Sequence, residues 1–109
     1  MTKISFLAVL AFASVCSALE LYVDHGFEGD DCIIATPSRQ CVEIPEPCLK
    51  QVSSMKLSVE WRCYLYDDGY CRGRKRYFRG DNYPSLGVFE FDDKAISAYC
   101  WIKGPYENP

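Results

Sequence analysis

Seven cysteines, a single histidine and a scatter of adjacent carboxylates are the residues of this 109-residue chain with chemistry to offer. One histidine, with no serine and aspartate set around it, leaves no hydrolase triad. His25 sits among turn residues, where an imidazole faces solvent. Asp30-Asp31 and Asp67-Asp68 are sequence neighbours. On a strand, neighbours point to opposite faces, so neither pair makes a glycosidase couple by itself. No glycine-rich phosphate loop is present. The residues therefore describe a protein that is not an enzyme. The cysteines remain, and without any C-x-x-C pair and with one histidine they favour disulfides over a zinc site.

Twelve basic against fifteen acidic residues give a formal charge of -3, which removes the electrostatic case for nucleic acid. Apolar residues at 49% and aromatic residues at 15% exclude a disordered chain. One run departs from the average surface. Arg72, Arg74, Lys75, Arg76 and Arg79 place five cations within eight residues, among Tyr70, Tyr77 and Phe78. On a strand, Arg74 and Arg76 would share a face. Such a basic-aromatic patch suits an acidic extracellular partner, a cell-wall polymer or an anionic cell surface. The plainer alternative is a solvated strand face, balanced by the chain's many acids, and the negative net charge favours it.

The elements that must carry these residues begin after a leader. Lys3, the apolar stretch Ile4–Ala13 and the small residues Cys16-Ser17-Ala18 form a secretory signal with cleavage after Ala18. No apolar run reaches the roughly 18 residues of a membrane span, so a released, extracellular, monomeric chain is expected. Removing the leader leaves six cysteines, at 32, 41, 48, 63, 71 and 100, which reads as three disulfides with fifteen pairings open.

Residues 19–109 form one domain that repeats itself. Tyr22–Gly29 and Tyr66–Gly73 both begin with Tyr, carry Asp third and end in Gly, at an offset of 44. Val52–Leu57 parallels Ala95–Cys100 at an offset of 43. Two copies of one supersecondary unit are implied, about 19–58 and 61–103. Leu19–Tyr22, Met55–Leu57 and Trp61–Leu65 alternate apolar and polar residues, the period of half-buried strands. Arg74–Arg79 is strand-like before the turn at Gly80-Asp81-Asn82, and Pro37, Pro45, Pro47 and Pro84 break any helix. Two copies of about four short strands predict an all-β sandwich.

The pattern of Tyr, an acidic residue, a later aromatic and a Gly, then a Ser before a final strand, resembles the Greek-key motif of the βγ-crystallins. The resemblance spans Leu19 to Trp101, with Cys71 standing where the first copy has the aromatic Phe27. It implies a two-motif Greek-key sandwich in which an aromatic ring on the folded first hairpin covers the core. Gly29 and Gly73 would supply positive φ. Ser54 and Ser97 would hold the hairpin through hydroxyl hydrogen bonds.

Members of that family often carry calcium, marked in each copy by two Asn/Asp residues, two free positions, then Ser/Thr and Ser. The second copy has Asp92-Asp93 but Ile96 in place of the hydroxyl. The first has Ser53-Ser54 but Leu49-Lys50 in place of the acids. In the family a site draws on both copies, so Asp92 or Asp93 with Ser53 allows one weak calcium site. The site built from Lys50 and Ile96 should be dead, since a fixed cation repels calcium. The plainer alternative is that both acids face solvent. The resemblance also implies the disulfides. Cys63–Cys100 would replace a core contact between the first and last strands of copy 2. Cys32–Cys41 would be local to copy 1, and Cys48–Cys71 would tie the copies together. The function implied is a secreted, non-catalytic module that binds calcium weakly. The alternative is an antimicrobial, toxin-like or effector protein acting on another organism.

Overall fold

The computed structural model describes residues 19–104; residues 1–18, where the sequence reading expects a leader, and the last five residues lie outside the described residues. Eight strands follow in order: β1 Leu19–Asp24, β2 Glu28–Ile34, β3 Gln40–Glu43, β4 Ser54–Leu57, β5 Trp61–Tyr66, β6 Lys75–Arg79, β7 Asn82–Tyr83 and β8 Ser97–Ile102. Two single turns of 3-10 helix, Gly69–Cys71 and Leu86–Phe89, are the only helical pieces among the described residues.

The strands form two antiparallel four-stranded sheets. Sheet 1 runs β2-β1-β4-β7 and sheet 2 runs β3-β8-β5-β6. The first and last strands of each copy are neighbours, β1 beside β4 and β5 beside β8. The third strand of each copy crosses over. β3 pairs with β8 of the second copy, and β7 pairs with β4 of the first. Neither copy therefore closes its own sheet, and each lends an edge strand to the other.

The alternation in the sequence becomes the two sides of each sheet. Leu19 and Leu21 on β1, Met55 and Leu57 on β4, and Cys63 and Leu65 on β5 point inward and are buried with Phe78 and Ala98. Burying each such aliphatic side chain contributes roughly 1.5–3 kcal/mol. Phe78 is the largest side chain fully enclosed. It packs edge-on against Tyr83 and Phe89 at centroid distances of 5.0 and 5.3 Å, closing the end of the sandwich where β7 is only two residues long.

Strand exchange also settles the disulfides. Cys63 and Cys100 are directly opposed on β5 and β8 and are bonded, both fully buried. The other two pairs differ from the sequence expectation. Cys32 is bonded to Cys48, and Cys41 to Cys71, in place of Cys32–Cys41 and Cys48–Cys71. A local Cys32–Cys41 bond requires β2 and β3 to be neighbours, but they lie in different sheets. Cys32 points into the core from β2, whereas Cys41 stands opposite Tyr99 on the outer side of sheet 2. The buried Cys48 in the loop before β4 thus meets Cys32, and the exposed Cys41 meets the hairpin of the other copy.

Candidate cation site

Each copy folds its first hairpin back over the sandwich through the same backbone conformations. Gly26, Phe27 and Gly29 have φ of 71°, 63° and 81°; Tyr70, Cys71 and Gly73 have 57°, 55° and 84°. At Gly29 a Cβ would stand 2.5 Å from the Asp24 carboxylate and 2.8 Å from Val23 Cγ2, so positive φ and close approach both require glycine. Gly73 meets the Asp67 carboxylate in the same way.

A buried serine clasps each hairpin. Ser54 Oγ donates to the Asp24 carbonyl at 2.6 Å and accepts the Phe27 N–H at 3.0 Å. Ser97 Oγ donates to the Asp68 carbonyl at 2.6 Å and accepts the Cys71 N–H at 2.9 Å. One hydroxyl thus satisfies two backbone groups that the fold-back removes from the sheet ladder.

Two loops lie across from each other between the copies. Lys50 and Asp93 occupy equivalent places, with φ of 58° and 59°. The Lys50 N–H donates to the Ala95 carbonyl and the Asp93 N–H to the Val52 carbonyl, each at 3.0 Å. This two-fold exchange of backbone bonds brings Ser53 of the first copy to Asp93 of the second, where Ser53 Oγ donates to Oδ1 at 3.3 Å. Both residues line a cleft that Asp24, Glu28, Gln51 and Asp92 share, with His25 exposed at its rim. Sequence reasoning did not place Asp24, Glu28 or Gln51 there. Asp24 and Glu28 flank the turn of the folded hairpin, and only its fold-back carries them to the loop at 92–93.

Asp92 Oδ1 is buried and has no hydrogen-bond partner. An unsatisfied carboxylate oxygen is costly to bury, and a cation ligand removes that cost. The carboxylates do not converge on one point, however. Among the described residues no three His, Cys, Asp or Glu side chains are placed to hold a metal together. A cation here would need a mixed set of carboxylate, hydroxyl and carbonyl oxygens, which suits calcium rather than a transition metal. The equivalent place on the other side pairs Lys50 with Ile96 and has neither the acid nor the hydroxyl.

The basic run is not one patch. Lys75 and Arg79 alternate outward with Tyr77 on β6. Arg76 turns to the opposite side, where its Nε donates to the Phe89 carbonyl at 2.9 Å and its guanidinium lies 3.7 Å from Glu90. Arg74 precedes the strand and Arg72 lies by the Tyr70 ring, 5.9 Å from its centroid. Arg74 falls on the Arg76 side by strand parity and is exposed, so the five cations divide between the two sides of the strand.

No family model and no curated protein matches the sequence. Solved structures do match. A βγ-crystallin domain from Clostridium beijerinckii superposes with a TM-score of 0.64 at 20% identity, over 77% of this chain and 97% of that one. The fold is that of a βγ-crystallin domain. A βγ-crystallin domain from Flavobacterium johnsoniae gives a TM-score of 0.64 at 15% identity, over 80% of this chain and 97% of its own. A structure described under the evolution of the eye-lens βγ-crystallin domain fold gives 0.69 at 14% identity, over 83% and 90% of the two chains. At these identities the likeness is one of βγ-crystallin architecture, the two-copy sandwich with exchanged third strands. A clostrillin double mutant that matches this chain was solved in complex with nickel.

Proposed function

We propose that this chain is a non-catalytic extracellular module of βγ-crystallin fold that binds one calcium ion weakly in the cleft between its copies. The supporting observation is the buried, unpartnered Asp92 Oδ1 beside the Ser53–Asp93 hydrogen bond. Asp92, Asp93 and Ser53 would hold the ion, with backbone carbonyls of the neighbouring hairpin. Calcium would supply a charge that relieves the buried carboxylate. Because Ser53 and the acidic pair belong to different copies, binding would brace one copy against the other and favour the folded state by mass action. Three disulfides favour an oxidising, extracellular setting for the chain.

Calorimetric titration tests the calcium site. One heat-producing site and a modest rise in melting temperature are expected. Asp93→Lys installs the residue that Lys50 already presents at the same backbone φ, so it should abolish both effects while the domain stays folded. No heat at millimolar calcium would reject the site. A stoichiometry of two would show that the Lys50 side is alive.

A further inference from the structure

The outer side of sheet 2 carries an aromatic cluster that the cation site does not use. Strand parity puts Tyr64 and Tyr66 of β5, Tyr77 of β6, and Tyr99 and Trp101 of β8 on the side opposite the buried Cys63, Leu65 and Ala98. The rings meet across three strands. Tyr64 lies at the centre, with centroids 5.4 Å from Trp101, 5.7 Å from Tyr77 and 6.2 Å from Tyr66. Tyr99 joins through Trp101 at 6.1 Å. Lys75 Nζ stands 4.3 Å from the centroid of Tyr64, and Tyr77 is 48% exposed.

Two properties distinguish this face from an ordinary cross-strand ladder. The first concerns hydroxyls. Elsewhere the Tyr22 hydroxyl donates to Glu20 and that of Tyr83 to the Arg79 carbonyl. Among the described residues no such acceptor meets the hydroxyls of Tyr64, Tyr66, Tyr77 and Tyr99. The second concerns charge. Along the registered strands the outer side of sheet 2 carries the exposed Lys75 and Arg79 against Glu43, while Arg62 is buried with its guanidinium on the Val59 and Trp61 carbonyls. The Glu43 carboxylate is occupied by the Tyr70 N–H at 2.8 Å. The outer side of sheet 1 carries Glu20 and Asp31 against Lys56. In a chain of net charge -3, the aromatic side is the cationic one.

We propose that this face binds an anionic polysaccharide. The apolar face of a sugar ring would lie on the exposed Tyr77 at the edge of the cluster. Sugar hydroxyls would meet the phenols, and acidic groups would meet Lys75 and Arg79. A second copy of this chain fits less well, since a two-fold interface through this face would bring its cations against themselves. Single-stranded nucleic acid also stacks on aromatic platforms, but it needs a continuous basic groove along its backbone, and the exposed cations registered on this face are Lys75 and Arg79 alone.

Polygalacturonate is the probe, with tryptophan fluorescence and calorimetry as readouts and neutral dextran, polyglutamate and oligo-dT as comparisons. Saturable binding to polygalacturonate above all three is expected. Tyr77→Ala, at an exposed edge, should weaken it about tenfold. Lys75→Gln should weaken it several-fold and flatten its salt dependence. Asp93→Lys, at the cation site, should leave it unchanged. Tyr64→Phe keeps the ring and should retain most of the affinity, which covers the case in which Tyr64→Ala fails to fold. No binding, equal binding to polyglutamate, indifference to Tyr77→Ala, or preference for oligo-dT would each overturn the proposal. So would concentration-dependent dimerisation that removes Tyr77 from solvent.

Discussion

The two folded hairpins have the same backbone and different clasps. In copy 1 the residue at the fold is Phe27, whose ring meets Tyr22 edge-on at 5.8 Å with Lys56 Nζ 5.0 Å from its centroid. In copy 2 it is Cys71, bonded to Cys41 on the exchanged strand of copy 1, and the preceding Tyr70 is 76% exposed. Positive φ and the serine clasp are common to both, so they are what the fold-back requires. The side chain at the fold is a choice between dispersion and a covalent bond. The aromatic clasp joins a hairpin to its own copy, whereas the disulfide joins a hairpin to the other copy.

The largest effect should come from opening the covalent clasp. Cys41→Ser with Cys71→Ser should cost about 2–4 kcal/mol in denaturant melts. Hydrogen exchange should then rise at Gly69–Gly73 and stay unchanged at Gly26–Gly29. Equal exchange in both hairpins would mean that the disulfide does not hold the second one. Next is the serine clasp, where alanine leaves a backbone carbonyl and N–H without partners, at about 1–3 kcal/mol. Ser54→Ala should loosen its hairpin more than Ser97→Ala, because the second hairpin is still bonded through Cys71. The reverse order would show that the aromatic clasp is the stronger.

The loop pair extends the comparison to the cation site. Leu49→Asp and Lys50→Asp with Ile96→Ser copy the Asp92, Asp93 and Ser53 side chains onto the other side and should raise the calcium stoichiometry from one to two. An unchanged count would mean that the cleft carboxylates Asp24 and Glu28 matter more than the loop residues.

The smallest effect concerns alkali. Burial raises the Tyr66 phenol above its usual value of 10.0, with Tyr64 and Tyr99 adding to the shift. A raised phenol favours the neutral form in the folded state. Its contribution is therefore complete below the unfolded value and is lost as pH rises through the folded one. Tyr66→Phe should flatten the fall in melting temperature above pH 10, and absorbance titration should lose one phenolate step above the ordinary value. No change in either would place Tyr66 outside the cluster's electrostatics.

What was legible in the sequence was local. The two copies follow from the repeat offsets, and the inward alternation of Leu19, Leu21, Cys63 and Leu65 from period 2 along one strand. The roles of the glycines at 29 and 73 and the serines at 54 and 97 came from the resemblance to the βγ-crystallin motif. Cys63 and Cys100 belong to strands that the resemblance to the βγ-crystallin motif makes neighbours. Which sheet a strand joins is not written in its residues. β3 has four residues and β7 two, too few to specify a partner, and only the closing of both sheets sends each to the other copy. That exchange turned Cys41 away from Cys32 and toward Cys71. The register of three strands, and not the run of arginines, gathered Tyr64, Tyr77 and Trp101 on one face. The same register turned Arg76 away from Lys75 and Arg79, because adjacent strand residues must face opposite sides.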